Sequence, residues 1–205
     1  MSKRVLGLCV TAVALIAFFA AATLGAQTSA PPTTYSVVEI NSMLGVAVTM
    51  HIYRDGSRAV IDNESGDTRV RAVYDLNAHK NVSWDLNKPS GGCANSNISG
   101  DWGDPFNTAD LLASLDKENP KQTGTETING FATRVLATDG SGPGKVKARV
   151  WIDQKYGFIV KAQMEQGGEM KTLIEIKSAT FAPPPSGMFK IPAMCSAEAT
   201  NKSED

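Results

Sequence analysis

A mainly β fold, an antiparallel sheet curled into a barrel or half-barrel with one short central helix, is predicted by three observations on this 205-residue chain. From Tyr35 onward, apolar and polar residues alternate with a period of two, the mark of half-buried strands. Turn dipeptides, Asp55-Gly56 and Asn129-Gly130 above all, separate those runs at hairpin spacing. One stretch, beginning at Asn107, carries a helical stripe instead.

Ahead of the first strand, Lys3 and Arg4 precede an apolar run over residues 5–24 that ends near the small residues Ala20, Ala22 and Ala26. This is the pattern of a secretory signal peptide, assigned to residues 1–26. The run is long enough to span a bilayer, but its small-residue end favours cleavage. A lipoprotein signal at Cys9 fails because Leu8 stands where a small residue is required. Residues 27–34 (QTSAPPTT) form a linker. Residues 35–195 are expected to make a single half-barrel domain, and residues 196–205 a flexible tail.

Within the domain, Val46, Val48, Met50 and Ile52 fall on one face and Thr49, His51 and Tyr53 on the other. A turn at Asp55-Gly56 would set Ile52 opposite Ala59 and Met50 opposite Ile61. Further strands are expected over Arg69–Tyr74 and around Val82, Trp84 and Leu86. Residues 87–107, rich in Gly and Pro, read as a long irregular connection. Asn107 looks like the N-cap of a helix of about three turns, striped with Leu111, Leu112 and Leu115 and stopped at Asn119-Pro120. Strands resume at Thr125–Ile128 and Phe131–Thr138, then with the alternations Val146–Ile152, Phe158–Met164 and Met170–Ile176. In the last three, charged residues occupy the opposite face, so one side of the sheet should meet water. About eight or nine strands are too many to lie flat, so the sheet should curl into a barrel or half-barrel, either closing on itself or keeping an apolar cavity.

The chain carries 20 basic and 21 acidic residues with no basic stripe, which argues against a nucleic-acid partner. The absence of a second apolar span predicts a mature form that is soluble, or at most peripheral to an envelope membrane. With Cys9 in the leader, Cys93 and Cys195 are the remaining thiols. In an exported protein they read as one disulfide, closing a loop of about 100 residues worth on the order of 4 to 5 kcal/mol.

Enzyme and metal signatures are missing. His51 and His79 lack metal-ligand spacing, and neither an HExxH nor a GxSxG motif occurs. Residues 139–145 (DGSGPGK) resemble a phosphate loop but have Asp139 and Val146 at positions where that loop needs Gly and Ser or Thr. Asp101 and Asp104, flanking Trp102, are a carboxylate pair that general acid–base chemistry could use, although acidic loops are usually just solvated. Asn63, Asn81, Asn97 and Asn201 head glycosylation triplets, relevant in a eukaryotic source. No catalytic residue, metal or cofactor is assigned.

What remains is apolar lining. Met50, Trp84, Phe131, Val150, Phe158, Val160, Met164, Met170 and Ile174 are the ligand-cavity candidates, with Met43 and Phe181 beside them. Methionine adapts its shape, so such a surface suits ligands without rigid geometry. The competing reading is that these residues simply fill the core.

Several short segments together resemble the outer-membrane lipoprotein-sorting (LolA/LolB-like) carrier superfamily, particularly its small exported members. They are Gly124–Phe131, Val150–Asp153, Tyr156–Lys161 and the closing Met188–Pro192, with Tyr53–Arg58 and Tyr74–Leu76 in the first half. The resemblance implies an eleven-stranded incomplete barrel that holds acyl chains without catalysis. Such carriers have a substantial helix before the first strand, whereas residues 27–34 precede Tyr35 here, so a thinner lid is expected. The function expected is an exported, periplasmic or extracellular, non-enzymatic binding protein whose partner is a lipid or lipoprotein acyl chain. The alternative is a cell-envelope or extracellular interaction or structural module with a self-filled core.

Overall fold

In the computed structural model, which describes residues 29–42, 45–141 and 146–198, the alternating runs form one antiparallel sheet of eleven strands. In chain order they are β1 (Thr34–Asn41), β2 (Val48–Asp55), β3 (Arg58–Ser65), β4 (Thr68–Asp75), β5 (Lys80–Asp85) and β6 (Cys93–Asn97). After helix α1 (Ala109–Asp116) come β7 (Lys121–Ile128), β8 (Phe131–Asp139), β9 (Lys147–Asp153), β10 (Ile159–Gln166) and β11 (Glu169–Thr180). A 3-10 turn at Ser186–Phe189 and helix α2 (Ala193–Glu198) follow. The spatial order is β6-β5-β4-β3-β2-β1-β11-β10-β9-β8-β7, two meanders joined where β1 pairs with β11. The sheet is curled but unclosed, with β6 and β7 at its edges. The expected half-barrel class is therefore the one adopted. The signal peptide, Cys9, Met43, residues 142–145 of the phosphate-loop-like segment and Asn201 in the tail lie outside the described residues.

Local expectations met mixed outcomes. At Asn129-Gly130 both residues take positive φ (52° and 86°), the type I′ geometry whose twist matches the flanking strands. The first hairpin instead turns on Gly56-Ser57: Asp55 pairs with Arg58 and Ile52 with Ile61, shifting the expected register by two while keeping each side chain on its face. β6 was read as irregular because CANSN has no apolar alternation; it is a short edge strand on β5. Helix α1 spans 8 residues and follows Thr108 rather than Asn107, whose amide donates to Asp101 Oδ2 at 3.2 Å instead. It is joined by a second short helix, α2, that the sequence pattern did not signal.

Besides a skip at Thr123 of β7 against β8, bulges break the alternation of the strands around β9, β10 and β11. Val160 is skipped against β9, Leu173 against β10 and Lys177 against β1. Each places two residues opposite one and bends the strand, which is how a wide sheet acquires its curl. Because of the skip at Leu173, Met170 pairs with Glu165 and is turned to the face opposite Ile174. The expectation that both share one oily face is thus corrected. Trp151, expected on the charged face, is 3% exposed. It donates to Glu126 Oε2 at 2.9 Å and lies beneath the Arg149 and Lys161 side chains, whose aliphatic stems cover it.

The inner face of the curl is covered by the chain itself. To pass from the β6 edge to the β7 edge, residues 98–120 cross that face. Phe106, 5% exposed, packs edge-on against Tyr35 and Phe158 with centroids 4.6 and 4.5 Å away. It belongs to one cluster with Val37, Ile52, Ile61, Val160 and Ile176, residues drawn from both meanders. Trp102 packs on Tyr74, and Leu112 and Leu115 of α1 cover Leu136, Val150 and Ile152. Gly103, at φ +93°, lets the backbone pass Ile61, whose Cδ1 lies 3.4 Å from where a Cβ would stand.

Asp104 holds this crossover down. Its Oδ1 accepts from the Tyr35 hydroxyl at 2.7 Å and from the Phe106 backbone N–H at 2.9 Å, and its Oδ2 accepts from Arg54 Nη1 at 2.5 Å. Burial together with the adjacent carboxylate pushes the Tyr35 phenol far above its ordinary range, so it stays a donor. Asp101 is used by the loop as well, its Oδ1 accepting from the N–H groups of Gly103 and Asp104 at 3.1 and 3.3 Å.

On the outer face, the C-terminal segment packs Phe189 and Cys195 onto Val60, Val73 and Trp84. The expected disulfide, Cys93–Cys195, fastens α2 to β6 across 102 residues of chain.

Two outcomes follow. Alkylation of the unreduced, denatured protein should label neither Cys93 nor Cys195, and reduction should lower stability in urea by up to about 4 to 5 kcal/mol. Asp104→Ala strands Arg54 and Tyr35 in the interior and should cost about 3 to 5 kcal/mol in the same assay, against about 1 kcal/mol for Asp101→Ala, whose bonds are exposed. Equal losses from the two substitutions would contradict the clamp.

Candidate functional site

With the crossover seated, two spaces lie along the inner face among the described residues. The larger, about 660 Å³, opens at the end of the half-barrel where the β7–β8 and β9–β10 turns meet the end of β11. Phe131, Ala132 and Ala179 line it together with the side chains of Tyr156 and Phe181. Phe131 stands edge-on to buried Phe158 at 5.5 Å, and Tyr156 and Phe181 approach within 5.1 Å. Phe181 is 41% exposed, an aromatic ring left half in water.

Local chemistry fixes these walls. Asp153 Oδ2 accepts from the backbone N–H groups of Lys155 and Tyr156 at 3.0 and 2.6 Å, an Asx turn that sets the Tyr156 ring beside the groove. Asn129 donates to the Ile176 carbonyl at 2.8 Å and to Glu175 Oε1 at 3.1 Å, tying the β7–β8 turn to β11. Lys155 places its ammonium 4.7 Å from the Tyr156 ring and lends the rim a positive charge. The groove is thus aromatic inside with a polar, cationic edge.

The smaller space, about 180 Å³, lies beneath the crossover between β1, β2 and α1, bordered by Met50, Ile159, Ile174, Leu111 and Glu39. Glu39 is buried among these groups, and that burial raises its carboxyl above the usual range. A third hollow, about 420 Å³, sits on the outer edge by Trp84 and Cys93.

The structure distributes the sequence-derived cavity candidates over these places. Met50 and Ile174 border the small cavity and Phe131 lines the large groove. Phe158, Val150 and Val160 are packed in the core beneath the crossover. Met164 is half-buried near the far end of β10, and Met170 is exposed beyond the bulge. Trp84 belongs to the outer-face cluster, away from the inner cavities. Sequence reasoning missed Tyr156, Lys155 and Glu39. Glu39 was visible as a charge continuing the Tyr35, Val37 alternation on the apolar face of β1. The carboxylate pair Asp101 and Asp104 is occupied in holding the crossover. Among the described residues, no group of three or more His, Cys, Asp or Glu could hold a metal ion.

No family model and no curated protein sequence matches the chain. Among solved structures it is similar to the Pseudomonas aeruginosa MucA/MucB complex, with TM-score 0.51 and 15% identity over 79% of this chain and 56% of that one. It is also similar to MucB alone (TM-score 0.47, 15% identity, 80% and 58% covered). The chain therefore spans just over half the length of those chains. At such identity the likeness is one of fold, and that fold is the unclosed β half-barrel of the LolA and MucB type.

Proposed function

We propose that this chain is an exported, non-enzymatic binding protein that takes an apolar segment of a partner protein in the groove formed by Phe131, Tyr156 and Phe181. The signal-peptide pattern and the Cys93–Cys195 disulfide support export to a periplasmic or extracellular, oxidising compartment. The observation that carries the binding mode is the crossover, which fills the inner face and leaves the aromatic groove at the open end. Its volume lies within the usual range for ligand sites, roughly 300 to 1,000 Å³. Aromatic walls with a polar rim are the make-up of protein-binding surfaces. MucB, of the same fold, is solved in complex with MucA, a precedent for a protein partner.

The acyl-chain reading is second. The apolar floor and the cationic Lys155 at the mouth suit a fatty acid. The space under the crossover, however, is about 180 Å³, close to the roughly 150 Å³ that accommodates one benzene ring. A long chain would need the crossover to lift against the Asp104 clamp.

Native mass spectrometry of the protein isolated from its own compartment separates the two, a bound polypeptide being expected rather than a lipid-mass adduct. Phe181→Ser and Ala132→Trp should abolish that complex while the melting temperature moves by less than about 4 °C, equivalent to roughly 1 kcal/mol. A lipid adduct lost in both variants would put the carrier reading first.

A further inference from the structure

Glu39 sits in surroundings that oppose a charge. It is 7% exposed, and its cross-strand neighbours are apolar on both sides, Met50 on β2 and Ile176 on β11. The cavity it borders is walled on its apolar side by Ile159, Ile174, Leu111 and Pro105, with Asn41, Asp104, Asn107 and Thr108 on its polar side. Its hydrogen bond from Asn41 Nδ2 is long, at 3.4 Å. Among the described residues Glu39 forms no ion pair. Asp104, the other carboxylate at the cavity, is already committed to Arg54 and Tyr35. Burying a carboxyl without a counter-ion is costly, and a cation brought to it recovers much of that cost. The feature is therefore a built acceptor facing an apolar space.

We propose that the cavity beneath the crossover binds a primary ammonium group on a short apolar stem, with Glu39 taking the charge and Met50, Ile159 and Ile174 taking the stem. At about 180 Å³ it has room for a body the size of one benzene ring, for which roughly 150 Å³ suffices. The same chemistry is offered by a free alkyl or aryl amine and by the lysine side chain of a bound polypeptide. Leu111, 43% exposed, stands with Asn107 and Thr108 beside the space and marks its way in. None of its lining residues is shared with the aromatic groove, so this site stands or falls independently of the function proposed above.

Titration calorimetry on the intact exported protein near neutral pH tests it with four probes: benzylamine, benzyl alcohol of the same shape, a blocked Gly-Lys-Gly peptide and its acetyl-lysine form. Benzylamine should bind at least tenfold more tightly than benzyl alcohol. Glu39→Gln should bring that preference below twofold while melting at or above the wild-type temperature, because it removes an unpaired buried carboxyl. Ile174→Phe, which fills the space, should abolish binding of both small probes. Binding of the lysine peptide but not its acetylated form assigns the site to a partner's side chain; binding of benzylamine alone assigns it to a free amine. Equal affinity for amine and alcohol, no binding of any probe, amine preference that survives Glu39→Gln, or a lower melting temperature in that variant would each overturn the proposal.

Discussion

Asp104 is the point on which the arrangement depends. A sheet whose two meanders meet at β1 and β11 leaves its first and second halves ending at opposite edges. The connection between them has to travel the width of the sheet, and its inner face needs an apolar cover. One segment meets both demands, provided that it is held in place. A single carboxylate does so by accepting from Tyr35, Arg54 and the Phe106 backbone. In a low-dielectric interior such charge-assisted bonds are strong, and each one left unmade is costly. Phe106, Trp102 and α1 then lie over strands that have no contact in sequence.

That cover sets the functional possibilities. A half-barrel with an empty interior would be a container; this one is mostly occupied by its own chain. The outer face is taken as well, because the C-terminal segment packs on Val60, Val73 and Trp84 and is fastened by the disulfide. At the open rim, where strands end, turns supply Tyr156 and Phe131 beside the half-exposed ring of Phe181. The carboxylates that a sequence reader would test for catalysis are spent on loop geometry.

Much of the fold was legible because its signals are local. Period two marked the strands, and Asn129-Gly130 marked a type I′ turn through the backbone freedom of those residues. β6 escaped notice because an exposed edge strand has no buried face to pattern. Gly56-Ser57 displaced the expected Asp55-Gly56 turn, since both share the same glycine and the same parity. The bulges at Val160, Leu173 and Lys177 left no mark either: they answer to curvature across neighbouring strands. Of the site, Phe131 and Phe181 were anticipated, whereas Tyr156 and Lys155 lie in a turn, where no alternation marks a side chain as lining a groove. Glu39 was not singled out.

By itself the sequence determined the β class, the hairpin order and the pairing of Cys93 with Cys195, because alternation, turn chemistry and a count of two thiols need no knowledge of distant contacts. Which apolar face became the interior, putting Met50 beneath the crossover and Trp84 outside, was decided only by the tertiary structure. So were the filling of the half-barrel by Phe106 and, among the described residues, the burial of Glu39 without a counter-ion. These outcomes rest on strands far apart in sequence meeting across a curl, and a residue's own neighbours in the chain carry no record of what will be packed above it.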